Sequence, residues 1–354
     1  MTSLIRIQGA ATAPANPQAM SGRAETTGKV GRDLLERAVA LALRAPSVHN
    51  TQPWRWRVRR TEVELHADPT RHLVDTDPGR RDLLISCGAA LHHLRVAVAG
   101  LGAAVDVEYL PDPENEQHLA TVRLVDGRPD PSAAALFGQL ERRHSDRRPY
   151  SAQAVPAGRL AALVSRAARH GVLALPVIDP TVLHRVNEVL RSAAREQRRV
   201  PGCLAELLLW THRYANAHDG VPRGAVPTRT GLWDQPHLQR FPAGTLAPCR
   251  GSGTSGGTDG GTLLLLATPR DDAAARLAAG EALSAVLLAA TRAGLATAPL
   301  SQAVELPSTR TRLCAALRMP DEPQILIRIG VPLPGAAPLA PTPRRPLASV
   351  LLRP

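Results

Sequence analysis

Apolar residues return at helical spacing from Leu34 through Ala38 and Leu41 to Ala45, and Pro46 stops the run. Strict alternation follows. Trp54, Trp56 and Val58 are separated by Arg55, Arg57 and Arg59, which predicts a half-buried strand, with Val63 and Leu65 as its hairpin partner. A long helix is predicted from about Asp82 to Ala99, then strands carrying Val105, Val107 and Tyr109 and carrying Val122 and Leu124. Further helices are expected at 133–142, 157–169, 181–199 and 203–217. Residues 218–261 lose all periodicity and end in GSGTSGGTDGG, a loop by composition and a candidate lid or disordered segment. Order returns with a buried-type strand at Leu263–Ala267, a helix from about Asp271 to Ala293 and a strand at Gln324–Ile329. Prolines keep the closing stretch extended, and residues 1–28, rich in Ala, Pro, Thr and Gly, are expected to form a flexible tail.

The two long helices resemble each other. Gly88-x-Ala90-Leu91, with Leu94, Ala97 and Gly102, aligns at an offset of 192 residues with Gly280-x-Ala282-Leu283, Val286, Ala289 and Gly294.

Composition narrows the class. The 354 residues suggest two domains or one large composite fold, and 44% hydrophobic content is enough for a sizeable core. With Trp 4, Tyr 3 and Phe 2, that core must be mainly aliphatic. The net charge of +12 comes from arginine, since Lys29 is the single lysine. The arginines are scattered and accompany no helix-turn-helix, finger or aromatic RNA platform, so no nucleic-acid partner is expected. Cys87, Cys203, Cys249 and Cys314 form no CxxC pair and read as reduced thiols. No signal-like or membrane-spanning run of about 18 unbroken apolar residues occurs, so a soluble, cytoplasmic protein without membrane association is expected. His92 and His93 point about 100° apart on a helix, which favours surface or interface histidines over a metal site, and no metal is predicted. Asp75, Asp77, Arg80, Arg81 and Asp82 read as a solvated, capped helix start.

Four segments carry candidate chemistry. In Ala45-Pro-Ser-Val-His-Asn-Thr-Gln-Pro-Trp54, Pro46 ends a helix and leaves Ser47, His49 and Asn50 in need of partners. A flat hydrogen-bonding heterocycle would supply them, and so would ordinary capping within the loop. Glu141-Arg-Arg-His-Ser-Asp-Arg-Arg-Pro-Tyr150 carries four arginines. The others are Ala293-Gly-Leu-Ala-Thr-Ala-Pro-Leu-Ser-Gln302 and Ile329-Gly330 with Arg344-Arg345-Pro346 beyond it.

Together these resemble the nitroreductase-like flavoproteins. APSVHNTQPW is similar to their APSxxNxQPW signature, and the segment at Arg143 is similar to their RRxSxRxF/Y motif. The resemblance implies an α+β nitroreductase-like fold binding FMN. Pro46, Ser47, His49 and Asn50 would approach the flavin; Arg143, Ser145 and Arg147 would hold its phosphate and ribityl chain. Pro299, Leu300, Ser301 and Gln302 would lie under the ring, with a backbone N–H of Ser301 or Gln302 facing flavin N5, and Arg344 and Arg345 would clamp the phosphate. The order of motifs departs from ordinary nitroreductases, because the arginine motif follows the APSVHN motif. That order resembles the actinobacterial Acg family, single chains that mimic a nitroreductase dimer with one retained FMN site. Two pseudo-symmetric halves are then expected at 29–132 and 133–354, the second with a lid insertion at about 203–261. The implied function is an FMN-dependent NAD(P)H oxidoreductase. NADPH or NADH would be the donor and a nitro- or quinone-like small molecule the acceptor, with flavin-centred chemistry and no obligatory catalytic side chain. The alternative is a protein that binds FMN under its lid without turnover. As a fused dimer, the chain is expected to be a monomer or a weak homodimer.

Overall fold

The computed structural model describes residues 31–214, 216–228, 241–242, 244–247 and 259–353. The expected tail at 1–28, Cys249 and residues 251–258 of the glycine-rich run lie outside these.

Helix α1 covers 31–42. The hairpin β1 (Trp54–Val58) and β2 (Glu62–Ala67) follows, then α2 (Arg81–Gly100), β3 (Ala104–Tyr109) and β4 (His118–Val125). These strands form an antiparallel sheet of order β1-β2-β4-β3. After the single turn α3 (Pro131–Ala134) come α4 (Ala157–Ala168), β5 (Leu173–Val177), α5 (Pro180–Arg198) and α6 (Pro201–Thr211). The chain continues through β6 (Thr262–Thr268), α7 (Ala273–Arg292), β7 (Ala296–Leu300), α8 (Gln302–Glu305), α9 (Pro307–Leu317) and β8 (Glu322–Gly330), and closes with α10 (Leu347–Val350). The second sheet, β5-β6-β8-β7, is also antiparallel throughout. After α10, Leu352 donates its N–H to the Trp56 carbonyl at 2.7 Å, so the C-terminus returns to the edge of the first sheet.

The two sheets are covered differently. On β2, Val63, Leu65 and Ala67 enter the core, whereas Glu64 and His66 belong to a polar face beside His118. The unbroken apolar run of β6 needs two covers. Leu264 and Leu266 pack with α4 and α7, and Leu263 and Leu265 pack with α5, α8 and α9.

Between the sheets, α2 and α7 cross backbone to backbone. A Cβ on Gly88 would sit 2.1 Å from the Leu277 carbonyl oxygen, and one on Gly280 would sit 2.1 Å from that of Ile85. Only glycine permits so close an approach. Both helices end alike, on Gly102 (φ 88°) and Gly294 (φ 73°), with Ala103 N–H bonding Val98 O and Leu295 N–H bonding Ala290 O. His92 and His93 bridge to the other helix through Ser284 Oγ, at 2.7 and 2.8 Å. Both helices are long and apolar enough to cross a membrane, but 89% and 67% of their most apolar stretches are buried inside the protein.

Several expectations are corrected. The helix expected at 133–142 is the single turn α3 followed by a 3-10 turn at Phe137–Gln139. The helix expected at 203–217 ends at Thr211, because His212 (φ −113°, ψ 48°) leaves helical geometry. Asp77 and Arg81 are buried, not solvated: Asp77 accepts the Arg81 and Leu83 N–H groups, and Arg81 donates to Pro323 O and Gln324 Oε1. Strands β5 and β7 were hidden by Pro176 and Pro299, which occupy the sheet's two edges, where a missing N–H is tolerated.

Candidate functional site

A slot forms where the turn after α1, the segment at 143–147, the end of β7 and the C-terminal strap converge. Its cavity volume is about 120 Å³.

The turn after α1 is strained. His49 (φ 45°), Asn50 (φ 56°) and Gln52 (φ 50°) all adopt left-handed backbone, each at a cost of order 1 kcal/mol or more. Neighbours over-determine this shape. Ser86 Oγ accepts the Val48 N–H at 3.1 Å, and Ser47 Oγ accepts that of Gln52 at 3.0 Å. The Asn50 amide donates to Gly220 O and Pro343 O at 2.9 and 3.0 Å, while its Oδ1 accepts from Arg344. Asn50 therefore spends its side chain on tying the turn to the strap and to residue 220. The Ser47 hydroxyl proton makes no hydrogen bond among the described residues.

Segment 143–147 is fixed to the second sheet by Asp146 N–H on Thr297 O at 2.8 Å. In extended backbone, alternate side chains face opposite ways. Asp146 turns away from the slot into a bidentate pair with Arg148, and Arg143, Ser145 and Arg147 line it. Arg344 reaches the same space from the strap and shares the Arg44 carbonyl with Arg143.

None of these three guanidiniums forms a salt bridge among the described residues. Arg143 is 6% exposed, and among the described residues its Nε and Nη1 have no hydrogen-bond partner; nor does Nε of Arg344. Arg147 has one bond, to Ala225 O at 3.2 Å, and lies 4.9 Å over the Phe241 ring. Burial pulls Arg143 and Arg147 down to about 10. Arg344 falls to about 9 through burial and repulsion from Arg143 and Arg44. All three remain charged at neutral pH; Arg143 is buried, Arg147 and Arg344 are half-buried, and none has a counter-ion among the described residues.

The remaining walls are neutral. Pro299, Leu300, Ser301 and Gln302 bring β7 and α8 to the slot; Ser301 Oγ donates to Glu305 at 2.7 Å, and the buried Gln302 Nε2 has no partner. Ile85, Leu283 and Ile325 supply apolar floor, and Gly220, Val221 and Phe241 contribute from the expected lid region.

Two Mycobacterium tuberculosis proteins are extensively similar to this chain. The one named "Putative NAD(P)H nitroreductase Rv3131" is 41% identical over 314 residues, covering 88% of this chain and 89% of that protein. The one named acg, in the same terms, is 34% identical over 331 residues, covering 91% and 96%. The chain belongs to the NAD(P)H nitroreductase family. No family model matches it. Among solved structures, the FMN-dependent nitroreductase NfnB from Mycobacterium smegmatis in complex with NADPH is 18% identical, covers 61% of this chain and 96% of its own, and superposes with a TM-score of 0.39. A Bacteroides fragilis nitroreductase with bound FMN is 17% identical, covers 57% and 90%, and has a TM-score of 0.36.

In this nitroreductase-family chain the residues singled out from sequence converge, with one exception. Pro46, Ser47, His49, Asn50, Arg143, Ser145, Arg147, Pro299 to Gln302 and Arg344 all line the slot. Arg345 does not. It donates to Gln52 O, Ser349 O and Asp68 Oδ2, anchoring the strap from behind. Sequence reasoning missed Asp82, Ser86, Thr342 and Phe241. Ser86 had a usable signal, standing one helical turn after Asp82 on the face that includes Ile85; Thr342 and Phe241 had none.

Proposed function

We propose that the slot binds FMN and that the chain is an FMN-dependent NAD(P)H oxidoreductase of nitroreductase type, acting on a nitro- or quinone-like small molecule. The observation that supports this most strongly is the set of three guanidiniums, Arg143 buried and Arg147 and Arg344 half-buried, with no counter-ion among the described residues. Isolated buried charge costs several kcal/mol unless a counter-ion arrives. Guanidinium forks match phosphate oxygens, so Arg143, Arg147 and Arg344 would hold the FMN phosphate, with the Ser145 hydroxyl beside them. The free Ser47 proton and the unpartnered Gln302 amide are donors for polar edges of a flat ring. Ile85, Leu283 and Ile325 exclude water beneath it. When bound, FMN supplies the redox step, taking hydride from NADPH or NADH and passing electrons to the acceptor. The protein's part is position, positive charge and exclusion of solvent, and no side chain needs to act as acid or base. Both main walls come from one chain, so we expect a monomer to carry a complete site.

One observation favours a second reading, an FMN holder without turnover. Val221 and Phe241 line the slot, and Asn50 ties residue 220 to the strained turn. A roof fixed in that position would keep nicotinamide off the ring. Anaerobic titration of the FMN-loaded protein with NADPH, and then NADH, separates the two. Bleaching of the flavin band at one equivalent per chain supports the oxidoreductase. A band that persists with both donors supports the holder, and a protein that cannot be loaded with FMN overturns both.

A further inference from the structure

The crossing of α2 and α7 creates a second cavity at the position related to the slot by the 192-residue offset. Where α2 lines the slot with Asp82 and Ser86, α7 places Ala274 and Ala278 at the corresponding steps of the second cavity. Tyr109 at the end of β3 takes the place of Ser301 at the end of β7. The alanines leave room, and this cavity is larger, about 740 Å³ against about 120 Å³. The strained turn has no counterpart, because α4 runs directly into β5 through His170, Gly171 and Val172.

Its chemistry is that of an anion site. Arg128, Arg166 and Arg169 line one side, and none forms a salt bridge among the described residues. Ser132 gathers two of them: its hydroxyl accepts from Arg169 at 2.6 Å and its carbonyl from Arg166 at 3.5 Å. On the floor, Glu281 is already matched, by Arg95 at 2.7 Å and the Tyr109 hydroxyl at 2.8 Å. His92 is committed to Ser284 Oγ on one side and meets the His170 ring edge-on at 5.1 Å. Burial pushes both imidazoles below the ordinary range, so they enter as neutral groups. The four guanidiniums lining the cavity face two carboxylates, Asp130 and Glu281, leaving an excess of two positive charges.

We propose that this cavity is a second ligand site, separate from the slot, that takes a small organic dianion, either a phosphate monoester or a dicarboxylate. An excess of two charges beside two neutral imidazoles and the small side chains of Ala274 and Ala278 fits a dianion with a compact organic body better than a solvated ion.

The test, which rests on the slot taking FMN, is isothermal titration of the protein loaded with one FMN per chain and freed of unbound FMN, with AMP and with succinate in separate runs. At least one should bind one-to-one with a Kd below about a millimolar. Binding of AMP alone assigns a phosphate monoester, and of succinate alone a dicarboxylate. Replacing Arg166 and Arg169 together with alanine should weaken binding at least tenfold, with melting temperature and flavin absorbance unchanged. Ala278→Phe, which fills the floor without touching charge, should do the same and decides the matter if the arginine variant fails to fold. Three results would overturn the site: neither probe binds, binding survives both variants, or Arg143→Ala removes it.

Discussion

The two clefts beside the α2–α7 crossing share a frame and differ in nearly everything that touches a ligand. Both helices are 20 residues long, both end on a left-handed glycine, and each lines one cleft from its first turns. In the slot, one buried and two half-buried guanidiniums have no counter-ion among the described residues, and the adjoining turn holds three left-handed residues. In the second cavity Arg128 and Arg169 are exposed, the buried carboxylate is paired, and the connecting turn is short. The frame is set by core packing, whereas the chemistry is set by which connections reach the cleft. The turn at 46–52, segment 143–147 and the strap at 342–345 all converge on one side only.

The largest expected effect attacks what the clefts have in common. Gly88→Val would push methyl groups into the Leu277 backbone, already 2.1 Å from where a Cβ would lie. No flexible side chain there can yield, so we expect a loss of more than about 4 kcal/mol in urea unfolding, with both clefts spoiled together. A variant with wild-type stability would show that the crossing does not hold the frame.

The next prediction separates the clefts. Replacing Arg143 and Arg344 together with alanine should weaken FMN binding at least about a hundredfold, since charge-assisted bonds contribute about 1.5–3 kcal/mol each. The unliganded protein should lose no more than about 1 kcal/mol, because relief of two poorly solvated charges offsets the loss of Arg344's bonds to Asn50 Oδ1, the Thr342 hydroxyl and nearby carbonyls and of Arg143's bond to the Arg44 carbonyl. Flavin retention and apo melting temperature, measured side by side, check both halves. A fall in apo stability of several degrees would mean that the arginines serve the fold. Asn50→Ala should act on the slot more gently. It unties residue 220, Pro343 and Arg344 from the turn at once, and we expect roughly 2 kcal/mol of lost stability and weaker FMN retention. Unchanged values in both assays would count against the turn being held from outside.

These cases show how far the sequence carries. Twelve of the thirteen residues singled out line one slot, because the motifs bear groups whose chemistry is local: a proline that ends a helix, and alternating arginines on extended backbone. Arg345 was misjudged because two adjacent arginines look alike in sequence, and only the strap's path turns one inward and the other toward Asp68. Phe241 and residue 220 could not be found, since their nearness to the turn depends on chain far from it. The recurrence of the two helices was legible from Gly88 and Gly280, whose absent side chains permit the crossing. The different covers of the two sheets were visible as alternation in β1 and an unbroken run in β6. Strands β5 and β7 were lost because their prolines argue against a strand until the edge position is known.

The smallest effect tests that contrast between sheets. Glu64 lies on the polar face of the first sheet, and the second sheet has no counterpart because both of its faces meet apolar helices. Burial alone would raise its pKa, but hydrogen bonds from His66, Arg59 and Arg57 outweigh this and pull it from an ordinary 4.5 down to about 2. A carboxyl whose pKa is lower in the folded state than in the unfolded chain stabilises the fold above the unfolded value. That contribution is full above about pH 4.5 and disappears as pH falls through about 2. Solvent reaches Arg59, which is 51% exposed, so the gain is discounted to about 1 kcal/mol. Glu64→Gln should therefore be less stable than the parent by about that amount at pH 7, with the gap narrowing steadily between pH 4.5 and pH 2 in urea titrations. A gap that stays constant with pH would mean that shape and neutral hydrogen bonding hold this face, and that its charge contributes nothing.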